Sequence, residues 1–70
     1  MANKTLKIKQ YRRIIEIYSK NNNLNYDKAL YEFYNSKVYE MLDKEIGDYH
    51  CEGDLYIVED LQNEISAYHL

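Results

Sequence analysis

Proline and tryptophan are absent from this 70-residue chain, glycine occurs twice and cysteine once. A single cysteine, Cys51, excludes an internal disulfide and points to a reducing compartment. Two isolated glycines, Gly47 and Gly53, exclude a glycine-rich phosphate loop. Long apolar runs are missing as well. The longest, around Leu55 to Val58, falls far short of the roughly 20 residues a membrane-spanning helix needs. The opening Met1 to Thr5 has no apolar stretch behind it, so no secretory signal is expected. The expected location is the cytoplasm, with no membrane association.

The chain has room for one small domain, residues 1–70, with residues 1–4 expected as a flexible N-terminus. A domain of this size buries only about 60% of the surface its unfolded chain exposes. Such scaffolds lean on disulfides, a metal or a partner, and with one cysteine the partner is the natural supplement. Apolar content of 46% and charged content of 30% belong to a globular domain, not a disordered tail.

What the chain has in quantity is tyrosine, nine of them. Together with abundant Lys, Asn and Ile, this is what an AT-rich genome would encode. Tyrosine is also enriched at protein interfaces. Charge is unevenly spread. The net charge is −3, yet residues 1–20 sum to +5, with Glu16 the one acid, and residues 21–70 sum to −8. The simplest account is a basic first helix lying on an acidic body. The alternative is a bipolar surface that meets a charged partner.

The periodicity predicts an all-α fold, a small bundle of three to four short helices. Ile8, Tyr11, Ile15 and Tyr18, widened by Ile14, mark an amphipathic helix over 5–20 with Thr5 as its cap. Asn21 to Asn23 end it, since asparagine tolerates the left-handed conformation. Asn25 caps a second helix, 26–34, and Ser36 a third, 37–45, with Asn35 expected in a left-handed turn between them. A loop over 46–53 leads to a last helix, 55–68, capped by Asp54, with the stripe Leu55, Val58, Leu61, Ile65 and Tyr68. Leu55 to Val58 is rich in strand formers, so a short strand there is the alternative. The expected core is Ile8, Tyr11, Ile15, Leu30, Phe33, Val38, Met41, Leu42, Val58, Leu61 and Ile65.

Constellations for chemistry are sparse. His50, Cys51 and His69 are the candidate soft metal ligands, but adjacent side chains diverge, and one further ligand does not complete a site. His50 beside Cys51 imitates a base and a nucleophile without an orienting group or a pocket. The bland account is a loop histidine and a partly buried thiol. No metal, no cofactor and no enzymatic activity are expected. A helix-turn-helix around Asn35-Ser36 would present Lys37 and Lys44 against Glu40, Asp43 and Glu45, a poor footprint for DNA. Lys9, Arg12 and Arg13 on the first helix are the candidate nucleic-acid contacts, and nucleic acid is disfavoured as a partner. The candidate protein-binding surface is Tyr31, Tyr34, Tyr39 and Tyr56 with Glu32, Glu40, Glu59 and Asp60.

The segment from His50 through Glu52, Gly53, Asp54 and Tyr56-Ile57-Val58-Glu59-Asp60-Leu61 resembles the C-terminal signature of a family of short bacterial proteins, domain-of-unknown-function family 3791. The signature is a histidine, a few polar residues with glycine, then Tyr-Ile-Ile-Glu-Asp-Ile. His50, Gly53, Tyr56, Ile57, Glu59 and Asp60 match it, and Val58 and Leu61 are conservative changes. Asn25 to Tyr34 is similar to the family's capped helix ending in phenylalanine and tyrosine, and Asn35 stands where glycine is frequent. Asp48-Tyr49 before the histidine and Cys51 after it depart from the pattern. The family's activity is not established. Its members accompany neighbouring genes, some resembling ADP-ribosyltransferases, which implies a toxin–antitoxin or accessory role.

Taken together, residues and resemblance lead us to expect a protein-interaction module, antitoxin-like or regulatory, with a hetero-partner or a second copy. The alternatives are a DNA-associated regulator using the first helix and a self-assembling structural protein.

Overall fold

The computed structural model describes residues 4–68, with side chains described from 6 to 67. Four helices form: α1 (Lys4–Asn21), α2 (Tyr26–Tyr34), α3 (Lys37–Asp43) and α4 (Asp54–Tyr68), with a short 3-10 turn at Tyr49–Cys51 before α4. No strand occurs among the described residues, so Leu55 to Val58 is helical. Thr5 lies inside α1 and is not its cap. Of the expected flexible segment 1–4, residues 1–3 lie outside the described residues and Lys4 already belongs to α1.

The turns follow from local chemistry. Asn23 adopts φ 53° after α1, and the Leu24 amide reaches back to the Ser19 carbonyl at 3.0 Å, closing the helix end. Asn25 caps α2, its side-chain oxygen accepting from the Lys28 amide at 2.8 Å. Asn35 is not left-handed: its φ is −100°, and its side-chain amide donates to the Tyr31 carbonyl instead. The link to α3 is thus a tight turn without a positive φ. Ser36 caps α3 by accepting from the Tyr39 amide at 3.0 Å and donates its own proton to the Phe33 carbonyl. That pairing accounts for a hydroxyl in the core, since Ser36 is the buried polar residue there. α3 ends at Asp43, with Glu45 at φ 54° and the Ile46 amide bonded to the Met41 carbonyl at 3.1 Å.

α1 is the central element. It packs against α4 on one side and α2 on the other, and α3 joins α2 to α4 across the end. The core is Tyr11, Ile14, Ile15 and Tyr18 of α1, Ala29 and Phe33 of α2, Val38 and Leu42 of α3, and Ile57, Val58 and Leu61 of α4. Leu30 and Ile65 pack against it half-buried, and Met41 is half-buried. Ile8, expected inside, is exposed, and so is Leu55, the first residue of the expected α4 stripe. α2 ends at Tyr34, whose ring sits 6.5 Å from that of Tyr11, and the chain turns away there. Ile8, nearly a turn earlier on α1, therefore has no helix to cover it. On α4 the stripe begins with two steps of three residues, Leu55 to Val58 to Leu61, each of which slips about 60° around the helix. Leu55 and Leu61 consequently lie roughly 120° apart, and Ile57, four residues before Leu61, takes the buried place. The Tyr68 side chain lies outside the described residues.

Candidate functional site: a basic cleft and two tyrosine groups

The basic first helix does meet the acidic body, at two points. The Lys7 ammonium donates to the Asp43 carbonyl oxygen at 2.9 Å and lies 3.8 Å from the Glu45 carboxylate. The Arg13 guanidinium pairs with Asp54 at 2.7 Å, and the Asp54 carboxylate raises its pKa further above the ordinary value. Asp54 is the first residue of α4, so its carboxylate serves the bridge to α1 rather than capping α4 from outside. Lys9 and Arg12 are exposed and make no ion pair among the described residues.

Beside these contacts lies a shallow open cleft of about 280 Å³, lined by Leu6, Lys7, Lys9, Gln10 and Arg13 of α1 and by His50 of the 3-10 turn. The Gln10 amide donates to the His50 carbonyl at 2.9 Å and fixes the turn against α1. The His50 ring nitrogen Nδ1 is buried and has no hydrogen-bond partner among the described residues. Of the candidate nucleic-acid residues, Lys9 and Arg13 thus line one cleft, while Arg12 stands outside it. Gln10, Lys7 and His50 complete the wall. Sequence reasoning missed this grouping because it depends on a turn forty residues away.

The candidate protein-binding tyrosines do not form one surface. Tyr34 and Tyr39 pack edge-on with ring centroids 4.7 Å apart, and both lean on Tyr11 and Phe33 at 5.3–6.5 Å. Tyr39 is half-buried in this cluster, so it supports the core as much as it faces solvent. The Tyr11 hydroxyl donates to Asp43 at 3.4 Å. Burial, and then the negative charge of Asp43, push its pKa up to about 12. Burial also raises Tyr34. Tyr18, buried and donating to Glu32 at 3.1 Å, is likewise pushed up to about 12.

A second group stands on α4. The Tyr49 hydroxyl donates to Asp60 at 2.7 Å, and burial first, then that bond, raise the Tyr49 pKa strongly. Asp60 is therefore committed to its own chain rather than free on the surface. Tyr56 and Glu59 are exposed on the same helix, and Tyr31 is exposed on α2. Cys51 is exposed, contrary to the partly buried thiol expected. Among the described residues no three His, Cys, Asp or Glu side chains gather as a metal site, and His69 lies outside them. No described helix is long and apolar enough to cross a membrane. Comparison with family models, curated proteins and solved structures gives no match for this chain.

Proposed function

We propose that this chain is a cytoplasmic protein-interaction module, an antitoxin-like or accessory partner of the product of a neighbouring gene, and not an enzyme. The observation that supports this reading is the apolar surface left outside the core. Leu55 and Tyr31 are each 70% exposed, Leu6 is 62% exposed, and Tyr56, Ile8 and Ile46 are more than half exposed. Scattered surface hydrophobics are normal. Here, however, they are large, and two of them, Leu55 and Tyr56, adjoin on α4. Burial against a partner would supply the apolar contact that a chain of this size lacks. The likeness of the segment from His50 to Leu61 to domain-of-unknown-function family 3791 adds the neighbouring-gene context.

The test is co-expression of the tagged chain with its neighbouring gene products, followed by purification and mass determination in solution. A stoichiometric complex that is lost in Leu55→Asp and Tyr56→Ala, while both variants stay folded, supports the reading. A chain that purifies alone with each neighbour, and whose mass shows no association, would sink it. A symmetric homodimer would favour the self-assembling alternative. The DNA-associated alternative has less to draw on, since Lys7 and Arg13 of the basic helix already face Asp43, Glu45 and Asp54.

A further inference from the structure

We infer that the cleft between α1 and the Tyr49–Cys51 turn receives an acidic and apolar segment of a protein partner, with a carboxylate seated against Lys9 and Arg13. This rests on the proposed interaction role and deepens it by naming the partner's chemistry and its point of attachment.

Three observations meet at this place. The first is charge. Residues 21–70 sum to −8, so most of the molecule repels an anion, and α1 is the element that attracts one. Within α1, Lys9 is exposed and without an ion-pair partner among the described residues, and it lies one helical turn from Arg13 on the same wall of the cleft. The Arg13 bond to Asp54 is made through Nε, which leaves the outer guanidinium nitrogens to donate elsewhere. The second observation is the preformed far wall: the Gln10 amide donates to the His50 carbonyl at 2.9 Å and holds His50 of the turn against α1. The third is Leu6, 62% exposed on the same wall beside these polar groups. It offers an apolar contact next to the cationic one, which suits a segment that mixes glutamate or aspartate with aliphatic residues. A volume of about 280 Å³ admits side chains rather than a folded domain. A nucleic-acid backbone fits less well, because a duplex needs a broad basic footprint, and the basic residues of this cleft number three, Lys7, Lys9 and Arg13.

The test uses the full chain, titrated with a short capped peptide of glutamate and leucine and followed residue by residue through amide NMR shifts. The expected result is a set of shifts concentrated in residues 6–13 and 49–54, weakened by added salt. Lys9→Glu is expected to reduce affinity roughly tenfold, because an exposed attraction becomes a repulsion of similar size. Lys9 is exposed and unpaired, so the variant keeps the fold. Arg12→Glu makes the same charge change on the same helix outside the cleft, and it is expected to leave affinity within about twofold. Equal losses in the two variants would show general charge attraction and overturn the assignment to the cleft. So would shifts located on α2 or on the outer face of α4, equal binding of a lysine and leucine peptide, or no binding of the acidic peptide at all. Stronger binding of inorganic phosphate or of a duplex oligonucleotide would overturn the peptide reading. The two proposals fail separately: a co-purified neighbour unaffected by Lys9→Glu removes the cleft inference alone, whereas peptide binding at the cleft without any neighbour complex removes the accessory role alone.

Discussion

Replacing Glu64 by alanine is expected to destabilise the whole domain. Its carboxylate on α4 accepts two backbone bonds from the start of α3, from the Lys37 amide at 2.8 Å and the Val38 amide at 3.1 Å. Ser36 takes the next amide, Tyr39. The first three amides of α3 are therefore all satisfied by side chains, two of them by a residue 27 and 26 positions away. α3 has seven residues, about two turns, and a helix that short does not hold itself together in water. Hydrogen bonds to a charged group contribute about 1.5–3 kcal/mol each. Water replaces part of that at an exposed helix end, so about 2 kcal/mol for the pair is the reasonable figure. A domain of this length has roughly 3.5–10 kcal/mol in total. The loss is therefore a large share, and the urea midpoint of a circular-dichroism melt should fall by about 1–2 M. Glu64→Gln, which keeps one acceptor and no charge, should fall about half as far. Glu59→Ala, an exposed acid on the same helix, should melt within about 0.5 kcal/mol of the native chain. If Glu64→Ala also lay within that margin, the bridge from α4 to α3 would contribute nothing and the reasoning would be wrong.

Phe33, fully buried where α1, α2 and the tyrosine cluster meet, should be indispensable: Phe33→Ala costs about 3–5 kcal/mol, and the variant should show no cooperative unfolding transition at room temperature. Glu45→Gly should raise stability by about 0.5 kcal/mol in the same urea melts, because relief of the left-handed strain at φ 54° outweighs the added freedom of the unfolded chain and a weak contact with Lys7. Alkaline pH should unfold the protein. Tyr11 and Tyr18 ionise in the folded state only near pH 12 and Tyr49 is raised as well, whereas the unfolded chain ionises near its ordinary value of about 10. Stability contributed by the neutral hydroxyls is thus fully present below about pH 10 and is lost as pH rises through the folded values. Tyrosinate absorbance should rise together with loss of helical signal, and a smooth titration of all nine tyrosines in a chain that stays folded would contradict the burial.

Local signals carried most of the fold. Asn25 and Ser36 bracket α2 and α3 as their side-chain oxygens dictate, and Asn23 takes the positive φ that asparagine tolerates. Asn35 was legible as a boundary but not in its conformation, since its side-chain amide found the Tyr31 carbonyl and no left-handed residue was required. Ile8 failed for a tertiary reason, the length of α2, which no pattern within α1 records. The candidate site was less legible than the fold. Lys9 and Arg13 stood out as basic residues, but their cleft is completed by His50, and the Gln10 bond that holds His50 there spans forty positions. The tyrosines do not make one surface, because packing draws Tyr34 and Tyr39 into an aromatic cluster and ties Tyr49 to Asp60 on α4.

Long-range polar bonds of this kind have a common geometry that bears on function. Glu64 links α4 to α3, Asp54 links α4 to α1, and Lys7 links α1 to the end of α3. α3 and α4 are thus tied to other helices through charged side chains. An occupant of the cleft would touch α1 and the Tyr49–Cys51 turn together, reinforcing the junction that Gln10 already bridges. By mass action a ligand bound only by the folded chain adds stability, about 2.7 kcal/mol at a hundredfold excess over its dissociation constant. That is of the same order as the Glu64 bridge. A bound acidic segment should therefore restore much of the urea midpoint that Glu64→Ala removes, although the two sites share no residue. An acidic peptide that binds at the cleft without raising that midpoint would mean that it also binds the unfolded chain, and the cleft would then be no more than a patch of positive charge.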